Sequence, residues 1–212
     1  MNRIYAIGDI HGCFEKLCDL MNKIDIAPDS DVIVFLGDYI DRGLKSFEVV
    51  EYLIDIKDRF KKTIFLKGNH EEMFLNYLSG TDKLLYLMNG GEQTLESYLM
   101  HHSRGSDDPV IPQKHIDFFN SLALFYQTDD YIFVHAGLRN KIPLEMQDPK
   151  DILWIRSRFI NSGYNFGKRV VFGHTPTAAP IVQPNKIGID TGAVYGGFLT
   201  CVKLPDLLFY QA

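Results

Sequence analysis

An α/β fold carrying a small helical insert is what this sequence predicts, and three observations predict it. Short apolar runs recur between segments of helical period, the pattern of βαβ units around a buried sheet. That grammar stops between about Ser79 and Leu124, where Leu, Tyr and Met recur at helical spacing instead. It returns at Tyr131 and continues almost to the end of the chain. The length of 212 residues suits one large domain, so residues 1–212 are expected to form a single domain with an insert at about 79–124.

Taken in order, Ile4 to Ile7 is apolar and β-prone and runs into Gly8-Asp9. Phe14, Leu17, Leu20, Met21 and Ile24 then mark one face of a helix. Val32 to Leu36 repeats the strand pattern before Gly37-Asp38, and Phe47, Val50, Leu53 and Ile54 give the next helix. Ile64 to Leu66 leads into Lys67-Gly68-Asn69-His70, followed by the shorter helical face Met73, Leu75, Leu78. In the insert, Asn89-Gly90-Gly91 and Ser103 to Pro109 read as turns, and Leu84 to Leu87 as insert core. Strands are expected again at Tyr131 to Val134, Val170 to Phe172, Ile187 to Ile189 and Phe198 to Leu204, the last alternating. Asp151 to Ile160 reads as a short helix.

Composition narrows the function. Hydrophobic residues make up 46% and charged ones 23%, as in ordinary globular proteins. With 22 basic against 27 acidic residues, the net charge is -5 and no dense basic run occurs, so nucleic acid is not an expected partner. No apolar run approaches the length of a membrane span, and no membrane partner is expected. Met1 to Tyr5 passes straight into a strand, so no signal peptide is expected. Cys13, Cys18 and Cys201 are odd in number and lack paired spacing, which fits a reducing cytoplasm. Nothing in the sequence fixes the oligomeric state.

Chemistry-bearing residues follow the strands. They are Asp9-Ile10-His11, Asp38, Asn69-His70, His135 and His174, and they include four of the seven histidines. Loops at the carboxyl ends of parallel strands gather on one sheet edge, where ligands bind. An Asp/His/Asn set without cysteine suits manganese, iron or zinc better than a magnesium or calcium site. Two ions fit the count: Asp9 and His11 on one, Asn69, His135 and His174 on the other, and Asp38 bridging. A pair of divalent cations suits phosphoester cleavage. Arg42, just after Asp41, has the donor fork to hold phosphate oxygens. His70 is placed to protonate a departing alkoxide, with Asp41 orienting its ring.

Gly8-Asp9-Ile10-His11-Gly12, Gly37-Asp38-Tyr39-Ile40-Asp41-Arg42-Gly43 and Gly68-Asn69-His70-Glu71 resemble the three signature motifs of the phosphoprotein phosphatases, a family within the calcineurin-like metallophosphoesterases. His135-Ala136-Gly137-Leu138 and Gly173-His174-Thr175 resemble its two later histidine motifs. The resemblance runs from Ile4 to about Leu204, and the chain is similar in size to the bacterial and phage serine/threonine enzymes. It implies a four-layer αββα sandwich of mixed sheets and a dinuclear centre on the ligands named above. It also implies substrate contacts at Arg42, Asn69 and a second arginine after the fourth motif, for which Arg156 is preferred narrowly to Arg158. The expected reaction is hydrolysis of phosphoserine or phosphothreonine in proteins, or of a small phosphoester. The expected route is direct attack by a metal-bridging hydroxide, with histidine as general acid and no phosphoenzyme. No Cys-x5-Arg pattern supports a thiol route.

Two rivals stand beside this reading. Asp190-Thr191-Gly192 with Gly196-Gly197 is similar to symmetrical diadenosine tetraphosphate hydrolases, although Asp41 and Glu71 are closer to the protein phosphatases. A catalytically silent binding module would show no turnover with manganese. Among single residues, His101, His102 and His115 are assigned to surface or packing, and Cys13 to a buried thiol. Tyr195 is left open between overhanging the pocket and packing.

Overall fold

The computed structural model describes residues 3–103 and 108–212, so the turn expected over Ser103 to Pro109 falls largely outside the described residues. The chain runs β1 (Ile4–Ile7), α1 (Phe14–Lys23), β2 (Val32–Phe35), α2 (Ser46–Arg59), β3 (Thr63–Phe65) and α3 (Asn69–Leu78). Helices α4 (Lys83–Tyr86), α5 (Glu92–His101) and α6 (Gln113–Asn120) follow, then β4 (Phe125–Gln127) and β5 (Tyr131–Val134). Next come α7 (Pro149–Trp154), α8 (Ser157–Ile160), β6 (Arg169–Phe172), β7 (Ile181–Gln183), β8 (Lys186–Gly188), β9 (Asp190–Thr191), β10 (Phe198–Leu204) and β11 (Leu208–Gln211).

Two mixed sheets form, one in the order β11-β10-β1-β2-β3 with β9 paired to β10, the other β4-β5-β6-β8-β7. Strands β1, β2 and β3 are mutually parallel, as are β5, β6 and β8. Period-two alternation then sorts side chains into layers. Tyr5, Ile7, Ile33 and Phe35 face a core shared with α1, α2 and α3. Ile4, Ala6, Val32 and Val34 face Phe133, Val171 and Ile187 of the other sheet. Ile132, Val134, Val170 and Phe172 face Ile152, Ile155 and Phe159 of α7, α8 and the step between them. Three apolar cores between helix, sheet, sheet and helix make the four-layer αββα sandwich.

Several expectations need correction. Strand β10 is not half-exposed as alternation predicts: Leu199 and Cys201 face the core under the helices and Val202 and Leu204 the core between the sheets, so both its faces are covered. The expected helix over Asp151 to Ile160 is two short ones, broken where Arg156 takes φ -125° and ψ -114°. Asn89-Gly90-Gly91 is no open turn but part of a kinked wide helical turn, Leu87–Gly91, with φ +94° at Gly90. Of the Leu84 to Leu87 cluster, Tyr86 is buried, whereas Leu84 and Leu85 are exposed. Tyr86, Phe118 and Phe119 join the core beneath the first sheet, so the helical stretch shares that core. Among the described residues, no helix is long and apolar enough to cross a membrane.

Candidate metal centre

The carboxyl ends of β1, β2, β3, β5 and β6 bring Asp9, His11, Asp38, Asn69, His70, His135 and His174 together, all buried. The turns that do this are tight. Among the described residues, eight non-glycine positions have positive φ, and His11, Asp38, Asp41, Arg42 and His174 are five of them. Such backbone is costly and persists where packing over-determines it, as functional sites do. Gly173 lies so close to Asp9 that a Cβ there would collide with the Asp9 carboxylate.

Hydrogen bonding at the far side of each ring fixes how two histidines point. His11 Nδ1 lies 2.8 Å from the Ile40 carbonyl and His135 Nδ1 2.9 Å from that of Leu36. A carbonyl only accepts, so both Nδ1 atoms carry protons and both Nε2 atoms turn inward. There they meet further acceptors. His135 Nε2 is 3.0 Å from Asn69 Oδ1, 3.2 Å from His174 Nδ1 and 3.4 Å from Asp38 Oδ1. His11 Nε2 is 3.5 Å from Asp38 Oδ2. His174 Nε2 is buried without a partner.

Acceptors converging on acceptors need positive charge between them. A proton meets that demand at His135 but not at His11 or His174. Burial alone would lower His135, but Asp38 and Asp9 hold it up at about 9. His11 falls to about 3 and His174 to about 2, chiefly through burial. Burial and the neighbouring Asp190 push the Asp9 carboxyl well above its usual range. Asp38 goes the other way: burial opposes its charge, but His135 and His70 hold it well below the carboxylate range. A buried set of two carboxylates, three imidazoles and a carboxamide oxygen fits divalent cations. Two groups of three potential ligands, His11, Asp38 and His70, and Asp38, His135 and His174, share Asp38.

His70 is held apart from that role at one end. Its Nδ1 lies 2.6 Å from Asp41 Oδ2, and Nε2 stands 4.0 Å from Asp38 Oδ2. Asp41 is fully buried, and its other oxygen accepts from Tyr86 Oη at 2.8 Å and Thr94 Oγ1 at 2.7 Å. Tyr86 and Thr94 come from the helical stretch, so the insert supports the Asp41–His70 pair; no local motif in the sequence signalled either. Arg42 Nη1 reaches within 2.6 Å of His11 Nε2. Arg156 is exposed at the break between α7 and α8, close enough for its charge to help lower His174. The Trp154 ring meets His174 edge-on at 6.2 Å. His115 is buried between Tyr98 and Glu51, a packing role, while Cys13, expected to be buried, is half-buried, and that partial burial raises its thiol.

Glu71 does more than end a motif. Its carboxylate accepts from the backbone N–H groups of Asp38 at 2.9 Å, Tyr39 at 2.8 Å and Gly68 at 2.9 Å. It thereby ties the second loop to the third. Burial pushes it up to about 7, with Asp38 adding and the N–H donors opposing. At pH 8, Glu71→Gln turns one acceptor into a donor facing a buried N–H, a loss of about 1–3 kcal/mol. A denaturation midpoint equivalent to less than about 0.5 kcal/mol of change would show that those N–H groups find other acceptors.

This fold and these five loops define the calcineurin-like phosphoesterases, and the chain belongs to that family, whose model matches residues 2–200. Within it the chain is of the phosphoprotein-phosphatase type. It is 30% identical to serine/threonine-protein phosphatase 1 of Salmonella typhimurium, over 95% of this chain and 91% of that one. It is 29% identical to the asymmetrical bis(5'-nucleosyl)-tetraphosphatase PrpE of a Geobacillus species, over 97% and 91%. A crystal structure described as a candidate diadenosine tetraphosphatase superposes with a TM-score of 0.76 at 24% identity, covering 100% of this chain and 93% of that one. The nucleotide-cleaving relative is thus named for asymmetrical cleavage, where the sequence pointed to the symmetrical hydrolases.

Proposed function

We propose that this metal-dependent phosphoesterase is a phosphomonoesterase acting on phosphoserine and phosphothreonine in proteins. The observation that carries it is the Asp41–His70 pair set at the edge of the convergent ligand cluster. Asp9, His11 and Asp38 would hold one divalent cation and Asp38, Asn69, His135 and His174 a second, with manganese the expected metal and iron or zinc the alternatives. Such a pair supplies Lewis-acid polarisation of the phosphate and a more acidic water. The chain's own groups do the rest. Arg42 offers its donor fork to the phosphate oxygens, with Asn69 and Arg156 as further contacts. Asp41 fixes the His70 tautomer with the proton on Nδ1, so a second proton on Nε2 makes an imidazolium that Asp41 stabilises. From Nε2 that proton passes to the oxygen leaving phosphorus.

The relationship to PrpE favours a second reading, hydrolysis of dinucleoside polyphosphates. Both readings use the same phosphate site and differ in what lies beyond it. Initial rates with added manganese on a phosphoserine peptide and on diadenosine tetraphosphate separate them. Phosphate release from the peptide is expected. Turnover of the dinucleotide alone would put the second reading first, and no turnover of either would leave a silent binding module.

A further inference from the structure

Tyr195 neither packs into the core nor stands alone over the site. Its side chain is 64% exposed, yet its ring centre lies 5.7 Å from Arg42 Cζ, and no other ring or cation pairs with it among the described residues. The loop that presents this ring is locked. Gly192 and Gly196 take φ +71° and +86° on either side of the short turn Ala193–Tyr195. The Gly192 carbonyl accepts the N–H groups of Tyr195 and Gly197, both at 2.9 Å, and Asp190 Oδ1 accepts the Gly192 N–H at 3.0 Å. From α1, Lys16 Nζ donates to the Ala193 carbonyl at 2.9 Å and to that of Gly197, so one half-buried ammonium ties the loop to the helix at both ends. Arg42 is held from the other side. Its backbone, at φ +68°, donates N–H to the Gly90 carbonyl at 2.9 Å, and its Cγ lies where a Cβ on Gly90 would collide.

No carboxylate forms an ion pair with Arg42 among the described residues; its head group meets His11 and the Tyr195 ring instead. The difference matters for a phosphate ligand. A carboxylate would fix the guanidinium but offset its charge and take up its donors, whereas an aromatic face attracts the cation and leaves its charge whole. We propose that Tyr195 is a positioning residue for Arg42, holding the guanidinium at the phosphate site on its ring face while Lys16 pins the loop that carries the ring. The proposal rests on the phosphoesterase reading, in which Arg42 contacts phosphate, and adds what keeps that arginine in place and fully charged.

Affinity for inorganic phosphate, measured by calorimetry on the intact chain at equal manganese content, reads the effect without turnover. Tyr195→Ala is expected to weaken it by about two- to fivefold, the range of an exposed cation–π contact. Tyr195→Phe keeps the ring face and should keep the affinity. Lys16→Met frees the loop and should weaken phosphate by a similar factor or less. A cycle with Arg42→Ala decides whether the effect runs through the arginine: in that background Tyr195→Ala should change nothing further. An equal loss with and without Arg42, an unchanged affinity in Tyr195→Ala, or a loss in Tyr195→Phe as large as in the alanine variant would overturn the proposal. Lys16→Met with the parent affinity would overturn the part given to Lys16. Failure of the phosphoesterase reading shows separately, as absent hydrolysis with manganese while phosphate still binds.

Discussion

Asp38→Asn is expected to strip both metals from the protein while leaving the fold intact. Asp38 has φ +53°, a left-handed conformation that asparagine adopts more readily than other side chains. The amide oxygen can still accept the His70 backbone N–H that Asp38 Oδ1 accepts at 3.1 Å. What disappears is the negative charge that lies 3.5 Å from His11 Nε2 and 3.4 Å from His135 Nε2, shared by both ligand groups. Replacing an outer-shell partner typically costs about 10–100-fold in metal affinity, and losing a shared charged ligand should exceed that. Metal analysis after gel filtration, beside a circular dichroism spectrum, reads the result. Two tightly held ions per chain in the variant would show that Asp38 is not the bridge.

That position was legible in the sequence because the site is built on the most regular part of the fold. Runs such as Val32 to Phe35 and Val170 to Phe172 are buried on both faces, so they read as continuous apolar segments, and each hands the chain to a loop at the sheet edge. The strands that escaped reading are β4, β7, β9 and β11, three of them outermost in their sheets. An outer strand is half-exposed and short, and Phe125–Gln127, Ile181–Gln183 and Leu208–Gln211 carry too little periodicity to stand out from loops.

The supports of the site were less legible than its ligands, for a different reason. Asp41 is 53 residues from Thr94 and 45 from Tyr86 in sequence, yet both hydroxyls meet its Oδ1. Contacts of that separation depend on how α4 and α5 pack under the first sheet, which local pattern does not encode. Glu71 was visible as the last residue of a motif, but its grip on Asp38 and Tyr39 appears only once the second and third loops lie side by side. The helical stretch is therefore more than a rim: it supplies two hydroxyls to the Asp41–His70 pair.

The importance of His70 should depend on what leaves phosphorus. A serine alkoxide is a poor leaving group and needs a proton as the P–O bond breaks, whereas a nitrophenolate departs with far less help. His70→Asn is therefore expected to slow phosphoserine hydrolysis by about 10²–10⁴-fold, the usual range for general acid catalysis. The loss with nitrophenyl phosphate should be clearly smaller, with the metal content unchanged. The geometry makes the comparison clean. His70 is bonded through Nδ1 to Asp41 and leaves only Nε2 for the substrate, and asparagine keeps its backbone N–H for Asp38. Asp41→Asn should show the same selectivity more weakly, because it removes the charge that stabilises the imidazolium but not the imidazole. With its amide oxygen kept toward Tyr86 and Thr94, the asparagine NH2 faces His70 Nδ1, so the neutral ring moves its proton to Nε2. Equal losses on the two substrates, with both metals in place, would strip His70 of the proton-donor role and leave it a contact to phosphate or solvent.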